Sequence, residues 1–452
     1  MNKKKKETDS KAPAKKTGSR SKKFSRLKGF KDINFDEYKY VDLVTKKAVD
    51  LATTYGFKRF ETPVLESEAL YEKAAGKTSD MVSKEMYTFL DKGGDKVSVR
   101  PEITPGIVRA YNEHGMLNLP QPVKTLSIGP LLRYEKPQSG RLRQHNQFNL
   151  EVIGEASPVA DAQLMIIAYN FFKELQIDIQ IQINSIGCKE CRADYVKKLV
   201  AFYKERGKRT KLCNDCKKRL LKDPLHMLDC KEEGCMEIRD DAPQILDYLD
   251  DDCREHFVKV LEYLDEFDIP YVLNPYLVRS FDYYNKTVFE FASMPEEDEN
   301  GVVKKQVILG GGGRYDDLVE SMGGAEPAPA AGFGIGIERV ISKIKELNIP
   351  LKKDHEDIIF IAQLGDPARR KAMLMFEELR RSGLKVRQAF TQDALKNQLE
   401  EAARVGAKFS LIIGQKEMMD ETVMLRDMES GVQEVVDAKK VSQELEKKLK
   451  KE

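Results

Sequence analysis

Apolar positions recur along this chain with two different periods. From residue 40 onward, Val41, Val44, Ala48 and Leu51 share one face of a 3.6-residue repeat, and Gly56 stands where a helix C-terminal cap belongs. Residues 57–64 read as extended, with Pro63 pointing to an edge position. After a further helical stretch, residues 88–90 and 96–99 flank the turn-forming Asp91-Lys-Gly-Gly-Asp95, the pattern of a hairpin. Residues 123–128 and 145–153 alternate as strands across a polar, glycine-containing loop. Strands that follow one another in this way predict an α+β unit, with helices against a mixed, mainly antiparallel sheet.

Residues 192–265 are dense in Lys, Asp, Glu and Leu at helical spacing and read as a helical insertion. Strand-like and glycine-rich segments return over 277–336. A helix over 337–347 follows, with Ile337, Val340, Ile341 and Ile344 on one face. The rhythm changes after Pro350. A buried-strand run at 358–362, a helix face of Ala372, Met375, Phe376 and Leu379 ending at Gly383, and further runs at 384–386 and 409–413 predict a small α/β domain with parallel strands. The expected organisation is therefore a basic arm over 1–24, a large domain over 25–348 and a second domain over 355–452.

Composition narrows the class. Among 452 residues, 41% are apolar and 33% charged, which excludes a disordered or fibrous chain. Runs such as Phe409-Ser-Leu-Ile-Ile413 are far shorter than the roughly 20 residues that cross a bilayer, and no hydrophobic core follows the N-terminal lysines. A cytoplasmic protein with no membrane partner is expected. Lys+Arg number 76 against 74 Asp+Glu, but residues 1–28 hold twelve of the cations and two of the acids, so the remainder is net acidic by eight. The arm reads either as a solvated solubility tail or as a weak electrostatic tether for RNA.

The densest candidate chemistry lies in Gly129-Pro-Leu-Leu-Arg133-Tyr-Glu135, Lys136-Pro-Gln-Ser-Gly-Arg141-Leu-Arg143 and His145-Asn-Gln147-Phe-Asn149-Leu-Glu151. Alternation puts Gln147, Asn149 and Glu151 on one strand face, and Phe148, Leu150 and Val152 on the other. A carboxylate row opposite clustered guanidiniums suits a pocket that holds a phosphate at one end and an amine at the other. Arg100-Pro-Glu102-Ile-Thr104-Pro adds a carboxylate and a hydroxyl where a strand meets a helix; taken alone it reads as an N-cap with an acid in the first turn. Leu277-Val-Arg279-Ser-Phe-Asp282-Tyr283-Tyr284 gathers an arginine, an acid and two tyrosines before a strand; these are groups able to hold both nitrogens of a ring such as imidazole, or equally an ordinary strand edge with half-buried tyrosines.

Gly310-Gly-Gly-Gly-Arg314-Tyr315 and Gly332-Phe-Gly334-Ile-Gly336-Ile-Glu-Arg339 serve either close approach to a ligand or tight packing. Arg339, in the first turn of a helix, opposes the macrodipole and is better explained by a nearby anion. The five histidines form no nucleophile–base or metal motif, and no P-loop is present. Of seven cysteines, Cys188-x-x-Cys191 and Cys213-x-x-Cys216 have zinc-ribbon spacing, with Cys230 and Cys235 in reserve and Cys253 alone. A single structural Zn²⁺ on the first four, or buried free thiols, are the two readings.

With these blocks in order, residues 28–446 resemble the bacterial-type histidyl-tRNA synthetases. Arg133-x-Glu135 and 332–339 resemble two motifs shared by all class II synthetases. Arg100-Pro-Glu-x-Thr104, Gln147 with Glu151, and Val278-Arg279-Ser-Phe-Asp-Tyr-Tyr284 resemble the histidine-specific ones. The resemblance implies a class II catalytic domain and, from residue 355, an anticodon-binding domain. It implies ATP with Mg²⁺, L-histidine and a histidine tRNA as substrates, and a homodimer formed through residues 55–66. It further implies that Arg133 and Arg279 flank the reacting α-phosphate, and that Glu135, Arg141, His145 and Arg339 hold ATP. Glu102, Thr104 and Gln147 would bind the amino group; Glu151 and Tyr284, with Tyr283 and Tyr315 beside them, would read the ring.

Three positions depart from the family pattern: His145 where an aromatic usually stacks on adenine, Ser280-Phe281 where Gly-Leu is usual, and Asn34-Phe35 where Leu-Pro is expected. The rival readings are a catalytically inactive paralogue that regulates ATP phosphoribosyltransferase, an RNA-binding module without catalysis, and a class II synthetase for proline, threonine or glycine. The presence of the second domain and of the complete 279–284 segment counts against the first.

Overall fold

The first helix, Phe35–Thr54, begins where the sequence supplies a cap. The Asn34 side chain accepts the Glu37 N–H at 3.0 Å, and Asp36 and Glu37 fill the first turn. The unusual Asn34 thus has a local purpose. Val44, Ala48 and Ala52 form the buried face, and Gly56, at φ +82°, turns the chain away. A computed structural model of the protein describes residues 24–76, 79–136, 141–295, 306–351, 357–389 and 394–449. The basic arm expected over 1–24 lies outside the described residues except for Phe24. The chain divides into two units, residues 1–349 and 350–452.

In the first unit, β1 (Lys58–Arg59) is followed by β2 (Leu65–Ser67), β3 (Tyr87–Leu90) and β4 (Lys96–Val99). Next come β5 (Val123–Leu132), β6 (Gln144–Ile153), β7 (Ile179–Ser185) and β8 (Tyr271–Leu273). β9 (Asn285–Ser293), β10 (Ile308–Arg314) and β11 (Ala330–Gly336) complete the unit. The small sheet β2-β4-β3 contains the hairpin expected around Asp91. The large sheet runs β1-β5-β6-β11-β10-β9-β7-β8, parallel only at its two edge pairs. It is the mixed, mainly antiparallel sheet that the hairpin pattern predicts.

One face of this sheet is the core. Phe148 packs against Phe171 and Phe291 against Phe172 of the helix Pro158–Glu174, and Phe333 stands edge-on to Phe148 and Phe291, with ring centroids 5.4–6.0 Å apart. Each buried ring contributes roughly 2–3 kcal/mol. A buried ion network ties the layers together. Arg314 of β10 meets Asp161 of that helix at 2.8 Å, and His256 Nε2 lies 2.7 Å from the same carboxylate.

The insertion differs from its expected bounds. It opens with Cys188 capping the helix Lys189–Lys204 and continues through the short helices Arg206–Lys211, Asn214–Arg219 and Glu233–Arg239. The helix Asp251–Glu266, expected inside it, belongs to the main core instead, because Phe257, Val260 and Leu264 pack there.

The second unit holds β12 (Ile358–Gln363), β13 (Lys385–Gln388), β14 (Ala407–Ile413), β15 (Thr422–Asp427) and β16 (Gln433–Asp437), in the order β13-β12-β14-β15-β16. β13, β12 and β14, the three runs expected as parallel strands, are parallel; β15 and β16, which the sequence reading did not name as strands, are antiparallel. The connections explain this. The helix Gln415–Met419, between β14 and β15, has 5 residues, too few for a crossover. Between β15 and β16, Asp427 Oδ1 accepts the N–H groups of Glu429 and Ser430, closing a tight turn. Among the described residues no helix is long and apolar enough to cross a membrane.

Candidate active site

β6 supplies the floor of the site. Its polar face carries Gln147, Asn149 and Glu151, yet Asn149 and Glu151 are buried. β11 makes room for them. A Cβ at Gly332 would stand 1.6 Å from Glu151 Oε2, and one at Gly334 would stand 1.5 Å from Gln147 Nε2. These two glycines let the β6 side chains lean across the neighbouring strand. The Gly310–Gly313 run answers first to the sheet itself: a Cβ at Gly310 or Gly312 would strike carbonyl oxygens of β11, at 2.6 and 2.0 Å. Gly310 and Gly311 also border the cavity, and a Cβ at Gly311 would crowd Arg279 Nη1 at 2.7 Å.

Two buried carboxylates define one end of the site. Glu151 Oε1 accepts the Thr104 hydroxyl at 2.7 Å, and its Oε2 accepts the Tyr315 hydroxyl at 2.5 Å. Glu102 Oε2 accepts the Tyr283 hydroxyl at 2.9 Å, while its Oε1 is buried without a partner. Burial pushes both carboxyls up to about 7, against the opposing pull of Arg133 on Glu102 and of Tyr315 and Thr104 on Glu151. Tyr283 and Tyr284 pack 4.5 Å apart, with Tyr315 edge-on to both. The N-cap reading of residues 100–104 is corrected here: Ile103 occupies the cap position without a side-chain bond, and Thr104 turns its hydroxyl to Glu151.

The other end is cationic. Arg133 Nε donates to the Pro101 carbonyl at 2.8 Å, and its guanidinium lies 5.7 Å from the Phe281 ring. Phe281, a departure from the family pattern, also stacks on Tyr283 at 5.4 Å. Arg279 Nη1 is paired with Glu290 at 2.7 Å. Glu135 lies 4.0 Å from Arg133 and 3.6 Å from Arg141. Arg339 Nη1 donates to the Ile308 carbonyl at 2.7 Å, and burial with the nearby charges of Arg141 and Arg133 holds its guanidinium below the ordinary arginine value. Burial and the charges of Arg133 and Arg339 likewise push His145 down to about 3. Its imidazole is therefore neutral at pH 7.

One cavity of about 1180 Å³ brings these groups together: Glu102, Thr104, Arg133, Glu135, Arg141, His145, Gln147, Arg279, Tyr283, Tyr284 and Arg339 all border it. Glu151 and Tyr315 do not; each is 1% exposed and lies behind the wall. Several bordering residues have no signal in the sequence reading. Arg219, His226 and Arg239 come from the insertion, and nothing in a charged helical segment announces a cavity wall. Glu290 was findable, since alternation in β9 sets it opposite Phe289 and Phe291. Glu338 accepts the Asn146 N–H at 2.9 Å and so pins the start of β6.

The cysteines do not meet as expected. The Cys188/Cys191 and Cys213/Cys216 pairs form two separate groups, not one site, because each pair sits at a different helix start. Cys213 and Cys216 gather with Cys230 and Cys235, and Cys188 and Cys191 with Cys253 and Asp250.

Residues 29–340 match the family described as histidyl-tRNA synthetase, and residues 349–448 the anticodon binding domain. A histidine–tRNA ligase of Dehalococcoides mccartyi (strain 195) is 40% identical over 423 residues, covering 93% of this chain and 99% of that protein. One from Clostridium novyi is 41% identical over 408 residues, covering 90% of this chain and 94% of that protein. The apo histidyl-tRNA synthetase of S. aureus superposes with a TM-score of 0.77 at 30% identity, covering 93% of this chain and 99% of that one. Matches of this length, with both domains in the same order, leave one assignment: the chain belongs to the histidyl-tRNA synthetase family.

Proposed function

We infer that this chain activates L-histidine with ATP and transfers it to the 3′ end of its tRNA. In the first step a histidine carboxylate oxygen attacks the α-phosphorus, the bond to the bridging oxygen breaks, and pyrophosphate leaves with that electron pair. Charge builds on the α-phosphate oxygens, so fixed cations there lower the barrier most. Arg133 and Arg279 are assigned this role, with Arg279 also holding the histidine carboxylate. Arg141 and Arg339 would take the outer phosphates, and neutral His145 the adenine. Mg²⁺ accompanies the nucleotide; such a hard cation takes oxygen ligands, and Glu135 and Glu290 are carboxylates on the arginine side of the cavity.

At the other end, Glu102 offers its unpartnered Oε1 to the histidine ammonium, with Thr104 and Gln147 beside it. Tyr284 meets the imidazole. Glu151, behind the wall, would act on the ring through Thr104, whose hydroxyl it holds and which borders the cavity. The observation that carries the reading is the convergence of Arg133 and Arg279 with Glu102 and Tyr284 on a single cavity. Histidine-dependent ATP–pyrophosphate exchange tests it: activity is expected with histidine alone among the amino acids and falls by about 10²–10³-fold in Arg279→Ala. Exchange driven by another amino acid, or a fully active variant, would overturn it.

The enzyme is proposed to be a cytoplasmic homodimer that reads its tRNA partly through the second unit, by single-stranded bases. Val64, Leu65, Phe89 and Leu90, on and beside the small sheet, are exposed, as an interface would require. Light scattering at a mass no larger than the 51.6 kDa chain would contradict the dimer. The regulatory alternative gains no support, since both the anticodon-binding domain and the complete 279–284 segment are present.

A further inference from the structure

The two cysteine groups have the composition and shape of closed metal sites. In the first, the Sγ atoms of Cys213, Cys216, Cys230 and Cys235 all lie within 4.8 Å of one another, with Cys213 and Cys230 at 3.9 Å. Four sulfurs at the usual Zn–S distance of about 2.3 Å would stand roughly 3.8 Å apart. Backbone N–H groups already point at the sulfurs: Cys216 N–H to Cys213 Sγ at 3.3 Å, and Cys213 N–H to Cys235 Sγ at 3.2 Å. Such donors stabilise thiolate, the form that binds metal.

The second group repeats the design with an acid as fourth donor. Asp250 Oδ2 lies 3.1 Å from Cys188 Sγ and 3.2 Å from Cys191 Sγ, and Cys253 completes the set. The other carboxylate oxygen, Oδ1, is oriented by the Cys253 N–H at 2.7 Å, which leaves Oδ2 turned to the sulfurs. The N–H groups of Cys191 and Asp250 point at Cys188 Sγ and Cys191 Sγ, at 3.4 and 3.2 Å.

We propose that the chain binds two structural Zn²⁺ ions, one on Cys213, Cys216, Cys230 and Cys235, the other on Cys188, Cys191, Cys253 and Asp250. The first ion nucleates the middle of the insertion. Its helices have 6, 6 and 7 residues, far below the length at which a helix is stable alone, so they depend on the packing of Leu212, Leu220, Met227 and Ile238 and on a cross-link that fixes how these short pieces meet. The second ion fastens the start of the insertion to the core helix Asp251–Glu266. Because Arg219, His226 and Arg239 border the catalytic cavity, the first ion sets the position of one cavity wall.

Elemental analysis of the full chain, purified without added metal or chelator, is expected to give two zinc per chain. Cys216→Ser with Cys235→Ser should reduce this to one, and Cys191→Ser with Cys253→Ser should also leave one. In wild-type protein, X-ray absorption should show sulfur-dominated four-coordination near 2.3 Å with a minor oxygen component, a readout independent of how the variants fold. Chelation should strip hydrogen-exchange protection from residues 206–239 while β5 and β6 keep theirs. Fewer than two zinc per wild-type chain, iron in place of zinc, or unchanged protection after metal removal would overturn the proposal.

Discussion

The Tyr283 hydroxyl holds one oxygen of Glu102 at 2.9 Å while the other oxygen stays buried and unbonded. An acid so placed waits for a cation. Burial raises it to about 7, so it is neutral below that pH and ionised above. A raised carboxyl binds its proton more tightly when folded. Its ionisation therefore lowers the stability of the empty enzyme as pH climbs from about 4.3 to about 7, and a bound ammonium reverses that loss. The KM for histidine in pyrophosphate exchange should accordingly fall as pH rises from 6 to 8, and histidine should raise Tm more at pH 8 than at pH 6. Glu102→Gln should raise KM by about 10- to 100-fold and flatten its pH dependence, since a bond to a charged group is worth about 1.5–3 kcal/mol. A variant that keeps the wild-type slope would remove Glu102 from this role.

Arg279 reaches the cavity with one nitrogen tied to Glu290 at 2.7 Å. The pair is partly open, at 18% and 22% exposure, so breaking it should cost little stability. Its worth lies in aim. Glu290→Ala frees the guanidinium to swing, and a misplacement of about 1 Å costs up to ~10²-fold in rate. Arg279→Ala removes the charge altogether and should lower the exchange kcat by about 10²–10³-fold. Steady-state exchange with matched Tm measurements checks both: kcat should drop in the order Glu290→Ala, then Arg279→Ala, with Tm nearly unchanged. Equal activity in Glu290→Ala and wild type would leave the pair without a catalytic purpose.

These groups were legible in the chain to different depths. Gln147, Asn149 and Glu151 could be set on one face from alternation alone, because strand geometry is local. That this face would be buried was not legible, since its cover comes from Tyr283, Tyr284 and Tyr315, more than a hundred residues further on. In sequence, the glycine runs left close approach to a ligand and tight packing equally open. In the fold, Gly332 and Gly334 are strand residues whose missing side chains make space for their neighbours. Spacing identified Cys188/Cys191 and Cys213/Cys216 but paired them wrongly, because which partners a Cys-x-x-Cys meets depends on helix packing far along the chain. β15 was not read as a strand at all; it runs antiparallel to β14 because the five-residue helix between them is too short to cross over.

Arg314 and Asp161 are 0% and 1% exposed as side chains, and His256 caps the pair. Burial alone would raise Asp161, but Arg314 and His256 outweigh it and hold the carboxyl below the ordinary range. A depressed acid lends stability above its unfolded value and loses it only as pH falls through the lower folded value. Near neutrality Asp161 and Arg314 are both charged, and removing Asp161 leaves the buried Arg314 with only the Asp316 carboxylate, at 2.9 Å, to balance it. Asp161→Ala should cost about 3–5 kcal/mol, and the paired replacement Arg314→Met with Asp161→Leu much less. Thermal melts of the two variants at pH 7.5 should rank in that order. The opposite ranking would mean that the pair, and not the avoidance of an orphan charge, stabilises the junction of β10 with the helix Pro158–Glu174.

Gly332 and Gly334 allow the packing and binding roles of β11 to be separated. A methyl at Gly334 would meet mainly the far end of Gln147, at 1.5 Å, and Asn149 Nδ2 at 3.2 Å. Gln147 lines the open cavity and has room to turn aside. A methyl at Gly332 would meet Glu151 Oε2 at 1.6 Å and the Leu150 carbonyl at 2.7 Å. Neither yields readily, because Glu151 is held by Thr104 and Tyr315 and the carbonyl belongs to the strand. Gly334→Ala should therefore fold with nearly native Tm yet bind histidine weakly, with KM raised and kcat less affected. Gly332→Ala should lose both binding and about 1–3 kcal/mol of stability, the usual cost of overpacking. Calorimetry with histidine titrations on both variants decides it: if Gly334→Ala bound histidine normally, Gln147 would have no part in holding the amino acid, and the carboxylate–glycine fit would concern the sheet alone.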